Sequence, residues 1–224
     1  MHHGYQGSCS HCGRTDEGIT MSDPADDIRT LTKRRGEEEE ALLRMTLEEI
    51  GRSSKTPYFA AKNAVFIPAR TGFAETDALF ISRAGIFVFE CKHMTGTVIG
   101  KISDRLWTKT GETVLSFPNP VLQSRRHADA AAEYFGVSRA LCYSFAVFND
   151  SCRLEQEAES AVLRTGELKD ALRPLLSVQN LSGDEVTSLI AKAEKLSSDD
   201  KIRKQHEAQI QQRKKERRAE KKRR

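Results

Sequence analysis

Asp77, Glu90 and Lys92 are the residues of this 224-residue chain whose types and spacing could do chemistry. They sit in the stretch from Glu75 to Lys92, where two apolar runs, Ala78 to Ile81 and Ile86 to Phe89, flank Ser82, Arg83, Ala84 and Gly85. That pattern predicts a β-hairpin with a glycine in its turn. With those four residues as the loop, Ile81 faces Ile86, Leu79 faces Val88, Asp77 faces Glu90 and Glu75 faces Lys92. Side chains alternate along a strand, so all eight share one face. Two carboxylates then oppose each other beside an ammonium, at the end of otherwise apolar strands. Like charges placed so destabilise a strand pair, and burial makes the conflict worse. A divalent cation shared by Asp77 and Glu90 would remove it, because Mg²⁺ takes hard oxygen ligands and is held by one or two carboxylates plus waters and a substrate phosphate. Lys92 would then orient or deprotonate an attacking water, or stabilise charge developing on the phosphate. The other reading of the same residues is structural: solvated strand ends, with Glu75 and Lys92 as a weak surface ion pair.

Asp77 followed by Glu90-Cys91-Lys92 resembles the PD-(D/E)XK nuclease superfamily. Glu75-Thr76-Asp77, the run Gly85 to Lys92, Gly96 and Asn119-Pro120-Val121-Leu122-Gln123 are similar, in kind and order, to its nuclease-related domain (NERD) branch. The resemblance covers about residues 34 to 150, half of the chain. It implies a restriction-endonuclease-like α/β fold, a mixed central β-sheet flanked by helices, and a nuclease that hydrolyses phosphodiester bonds in DNA with Mg²⁺ or Mn²⁺ on Asp77 and Glu90. In that family a Gly-Glu pair opens the first helix and its glutamate faces the site. Gly36-Glu37 is the natural match, although the run Glu37 to Glu40 leaves the register open among neighbours. The family's Asn-Pro-x-x-Gln element places a glutamine beside the acidic cluster, which implies Gln123 as a further site residue.

The elements that must position these residues follow from periodicity and punctuation. Acidic residues ahead of Leu42, Leu43, Leu47 and Ile50 predict a helix over about 35–50. Ala64 to Ile67, before Pro68, reads as a first strand joining the hairpin. Thr95 to Gly100 gives another short strand, and 106–109 with 113–115 a second hairpin turning at Gly111. Trp107, the one tryptophan, reads as a core residue. Phe117-Pro118-Asn119-Pro120 introduces a helix over about Val121 to Tyr134. Its Leu122, Ala130, Ala131 and Tyr134 can face the sheet, while Gln123, Arg126 and His127 share another side. Arg126 or His127 would contact a backbone phosphate, or both belong to an ordinary polar face. Ala140 to Phe148 reads as a strand buried on both faces, Ala161 to Arg164 as a last strand, and Gly166 to Leu176 and Asp184 to Leu196 as helices. Cys91 and Cys142 fall inside strands as small core residues, and His93, pointing away from Lys92, reads as incidental.

Composition bounds the rest. Hydrophobic residues at 38% suffice for one ordinary core with polar appendages. The expected organisation is a disordered segment over 1–33, the nuclease-like domain over 34–150, a strand and helical extension of it over 151–196, and a basic tail over 197–224. Cys9 and Cys12 form a C-x-x-C near His2, His3 and His11, but no second half completes a tetrahedral zinc site. Met21 is an alternative start. No apolar run has membrane-spanning length and the first residues lack a signal-peptide layout, so a soluble, cytoplasmic protein with no membrane partner is expected. Five cysteines without a disulfide framework agree with a reducing compartment.

Net charge is +4, but residues 201–224 hold twelve basic residues against three glutamates. The body is therefore acidic. The tail, helical or disordered, is the expected electrostatic arm for nucleic acid, with Lys214, Lys215, Arg217 and Arg218 at its densest part, or else a solubilising tail. Rival functional classes are a nucleic-acid-binding protein that keeps the fold without turnover, and an adaptor whose tail meets acidic partners. No phosphate-binding loop of the G-x-x-x-x-G-K-[ST] kind is present.

Overall fold

A computed structural model of the chain describes residues 24–70, 72–156 and 161–198, together with eight scattered helical positions between 204 and 219. Cys9, Cys12, Met21, Lys214, Arg217 and Arg218 lie outside the described residues, whereas Lys215 is exposed.

The hairpin forms in the register that its apolar alternation dictates. β4 (Ala78–Ser82) pairs antiparallel with β5 (Gly85–Lys92), Leu79 opposite Val88 and Ile81 opposite Ile86. The turn is tighter than the four-residue loop expected: Ser82 pairs with Gly85, leaving Arg83 and Ala84 between them. Gly85 has φ of +143°, and a Cβ there would stand 2.3 Å from the Leu141 carbonyl oxygen, so only glycine fits.

This hairpin is the middle of a five-stranded mixed sheet. β1 (Phe59–Ala60) runs antiparallel to β4, while β9 (Cys142–Phe148) runs parallel to β5 and β11 (Val162–Arg164) parallel to β9. A parallel neighbour needs a crossover, and α2 (Pro120–Phe135) supplies it. One sheet face, with Leu79, Ile81, Ile86 and Val88, packs on Ala128, Ala131 and Phe135 of α2 and on Val186 and Leu189 of α4 (Gly183–Ser198). The other, with Phe80, Phe87 and Phe89, packs on Leu43 and Leu47 of α1 (Pro24–Ser53) and on Leu168 and Leu172 of α3 (Leu168–Leu176). Helices on both faces make this the mixed α/β architecture expected.

Three differences from the expected layout matter. α1 begins at Pro24, so residues 24–33, read as disordered, belong to the helix. β2 (Val65–Ala69), which continues through Pro68, does not join the main sheet; it forms a separate ribbon with β3 (Gly72–Thr76). Pro68 is tolerated because a two-stranded ribbon has only edge positions. Glu75 pairs there with Phe66, not with Lys92, because the chain turns between Thr76 and Ala78 from ribbon to sheet.

β6 (Thr97–Gly100), β7 (Leu106–Thr110), β8 (Leu115–Pro118) and β10 (Arg153–Gln156) form a four-stranded sheet over Trp107, which is buried against Phe148. The expected strand from Ala140 starts later, a short 3₁₀ turn occupying Arg139–Leu141. Among the described residues no helix is long and apolar enough to cross a membrane.

Candidate active site

Asp77 sits at the corner where the chain passes from ribbon to sheet. Thr76, fully buried, shares its hydroxyl between the carbonyls of Ala78 and Phe89, both at 3.0 Å. The Asp77 amide donates to the Phe89 carbonyl at 3.1 Å, so the residue keeps the hairpin register although it lies outside the regular strand. Its Oδ2 accepts the Cys91 amide at 2.7 Å, which fixes the carboxylate beside the end of β5. From α1, Arg44 donates to the Asp77 carbonyl at 2.8 Å and to Glu40 Oε2 at 3.3 Å. The corner is thus held from the helix side as well.

Glu90 is 6% exposed. Its Oε1 meets the Lys92 ammonium, and its Oε2 faces His127 Nδ1 at 3.6 Å. Burial first, and then the negative charge of Glu90, hold the Asp77 carboxyl well above the usual carboxylate range, with Glu40 adding in the same direction and the Cys91 amide opposing. Burial also pushes His127 down, so its ring is neutral near pH 7. The Cys91 thiol is pushed up by burial and the neighbouring carboxylates and is no nucleophile.

α2 forms the facing wall. Asn119 caps it, its Oδ1 accepting from the amides of Val121 and Leu122 at 2.9 and 3.3 Å. Its Nδ2 meets the carbonyls of Lys101, Ile102 and Asp104. Pro120 in the first turn is pre-set for helix. The Asn-Pro pair therefore orients the helix; one turn later Gln123 lines the same cleft as Asp77 and Glu90, and a further turn on His127 faces Glu90. Gln123 Oε1 and His127 Nδ1 are buried without a hydrogen-bond partner. A cleft of about 570 Å³ opens here, with Asp77, Glu90, Gln123 and His127 at its floor and Arg70 and Arg126 among its lining residues.

The structure thus brings together Asp77, Glu90, Lys92 and Gln123, with Arg126 exposed beside them. It does not bring Glu37, whose side chain is 61% exposed and paired with Lys33 at 3.5 Å. The helix starts a full three turns before the Gly-Glu pair, so the four glutamates are mid-helix and only those nearest the sheet turn inward. Glu40 is the one that pairs with Arg44, and its negative charge adds to the upward push on the Asp77 carboxyl. Glu39 instead faces His93 Nδ1 at 3.7 Å. Arg44 and His127's contact with Glu90 were not anticipated. The signal for the first was present: Glu40, Leu43, Arg44 and Leu47 form a single helical stripe whose leucines are buried.

A mixed sheet with helices on both faces and an acidic cleft at one end of its central hairpin defines a nuclease-like α/β domain. The model of the nuclease-related domain matches residues 35–149, and the chain belongs to that family, a branch of the PD-(D/E)XK superfamily. It is also 27% identical over 161 residues to an uncharacterized protein of Bacillus anthracis, spanning 70% of this chain and 74% of that one. No solved structure matches the chain.

Proposed function

We propose that the protein is a metal-dependent nuclease that hydrolyses phosphodiester bonds, with DNA as its substrate and Mg²⁺ or Mn²⁺ held by Asp77 and Glu90. The observation that carries this reading is the placement of Asp77, drawn by the Cys91 amide beside a buried Glu90 that already bears Lys92. Two carboxylates in mutual conflict and the orphaned Gln123 Oε1 make a hard oxygen donor set, which suits Mg²⁺ and Mn²⁺ alike. Among the described residues no three His, Cys, Asp or Glu side chains form a complete ligand group, so water and phosphate oxygens would supply the remaining positions.

When bound, the ion polarises the phosphate and makes an adjacent water acidic. The water oxygen bonds to phosphorus and the bond to the leaving sugar oxygen breaks, giving a phosphate monoester and a hydroxyl. Lys92 places its ammonium where charge grows on the phosphate, and the Gln123 amide holds the water or a phosphate oxygen in line. Arg126, exposed at the cleft, meets a flanking phosphate. The cleft is acidic, so long-range attraction of the polyanion falls to the basic tail, where Lys215 is exposed and Lys214, Arg217 and Arg218 are its neighbours in sequence.

Labelled single- and double-stranded DNA, incubated with the protein and Mg²⁺, Mn²⁺ or chelator, tests the reading alongside Glu90→Ala. Cleavage that needs the metal and drops by 10²-fold or more in the variant, with binding retained, supports it. Salt-sensitive binding without cleavage by the folded wild type would replace it with a non-catalytic nucleic-acid-binding protein.

A further inference from the structure

A second cavity, of about 470 Å³, lies at the other end of the central hairpin, where β4 enters its turn. β5 runs eight residues from that turn to Lys92, which separates the cavity from the acidic cleft by about 20 Å. Its volume falls in the range of small-molecule sites. Ile50, Phe80 and Leu176 give it an apolar floor, and Phe80 is fully buried, so one aromatic ring is fixed there. Arg83, Lys169 and Arg173 stand around it; Lys169 pairs with Glu49 at 2.7 Å and Arg173 with Asp170 at 2.9 Å, which leaves Arg83 as the cation of this wall with no carboxylate partner among the described residues.

Two donors in this wall have no acceptor. Arg83 is held in place: its Nε donates to the Leu181 carbonyl at 3.2 Å, and its own carbonyl accepts the amides of Asn180 and Leu181. Its two terminal nitrogens have no partner among the described residues. Ser82 is 5% exposed, and its oxygen accepts the Ala84 amide at 3.2 Å, which leaves its hydroxyl proton without an acceptor. The Ser82 hydroxyl and the Arg83 guanidinium, anchored through its Nε, both line the cavity, and the open terminal nitrogens of the fork can take the oxygens of an anion.

We propose that this cavity binds a small organic anion, a phosphate or carboxylate joined to an apolar body, with the anionic oxygens on Arg83 and Ser82 and the body on Ile50 and Leu176, behind which Phe80 is buried. The site is independent of the nuclease reading. α1 borders both places, with Glu49 and Ile50 at the cavity and Glu40 and Arg44 at the Asp77 corner, so occupancy also bears on the helix that steadies that corner.

Titration calorimetry of the full chain in chelator, with 1-naphthyl phosphate and adenosine 5′-monophosphate as probes and inorganic phosphate as the comparison, tests it. At least one probe should bind ten-fold or more tightly than phosphate. That affinity should fall at least ten-fold in Arg83→Gln and in Ser82→Ala, recover in part in Arg83→Lys, and survive Glu90→Gln. Unchanged thermal melting of the variants separates lost binding from lost folding. The proposal is overturned by binding of neither probe, by binding no tighter than phosphate, by full binding in Arg83→Gln, or by loss in Glu90→Gln, which would place the probe in the acidic cleft.

Discussion

Asp77 is the residue whose ionisation couples the site to stability. Its carboxyl is raised above its unfolded value by burial and by Glu90, so between those two values the folded protein binds more protons than the unfolded chain. The contribution of Asp77 to stability therefore falls as pH rises through that window, being complete below the ordinary carboxylate range and lost as Asp77 ionises. Melting temperatures in chelator across this range should decline, and Asp77→Asn should flatten the decline. Mg²⁺ or Mn²⁺ added at the alkaline end should restore the lost stability in wild type and not in Asp77→Asn, because a ligand that binds only the folded state stabilises it by mass action. Glu37 and Glu40 give a sharper test of the helix register. Glu40→Gln should reduce cleavage by about ten-fold or more, since it alters the charge on Asp77 and the partner of Arg44. Glu37→Gln should leave turnover unchanged, since its side chain meets only Lys33 and solvent.

At the scale of elements, α2 is positioned more by Asn119 than by any residue that faces the cleft. Asn119→Ala removes the cap and takes a donor from the part-buried carbonyls of Ile102 and Asp104, which should cost about 2 kcal/mol by denaturant unfolding. The loss in turnover should exceed what the unfolded fraction explains, because Gln123 and His127 shift with the helix. Much of this geometry was readable beforehand. Strict alternation fixed the register from Leu79 to Val88, and with it the meeting of Asp77 and Glu90; Asn119-Pro120 marked the start of α2. Glu75 was not readable, because nothing local announces that a strand leaves one sheet for another between Thr76 and Ala78. The buried Thr76 hydroxyl, satisfied by two carbonyls, and Arg44 on the Asp77 carbonyl show why the corner holds. The inward glutamate was misplaced for a related reason. A run of identical residues carries no phase of its own, and the described helix reaches back to Pro24 through sequence broken by polar residues.

Over the whole molecule, charge is divided between an acidic body and a basic tail. Deleting residues 197–224 should preserve melting within about 2 °C, because the core closes with Leu196 of α4. It should also weaken DNA binding, lower the slope of log affinity against log salt, and leave metal-dependent cleavage measurable at low salt. The strap on Arg83 carries a different consequence. The family match ends at residue 149, yet Asn180 and Leu181 tie down the central hairpin's turn, and Val186, Leu189, Ala193 and Leu196 complete the core on one face of the sheet. The segment that the family model matches is thus smaller than the unit that folds. A gene fragment ending at 149 would carry the Asp77–Glu90–Lys92 motif without its buttress and leave one face of the sheet uncovered, whereas a fragment that carries α4 would move the whole folding unit.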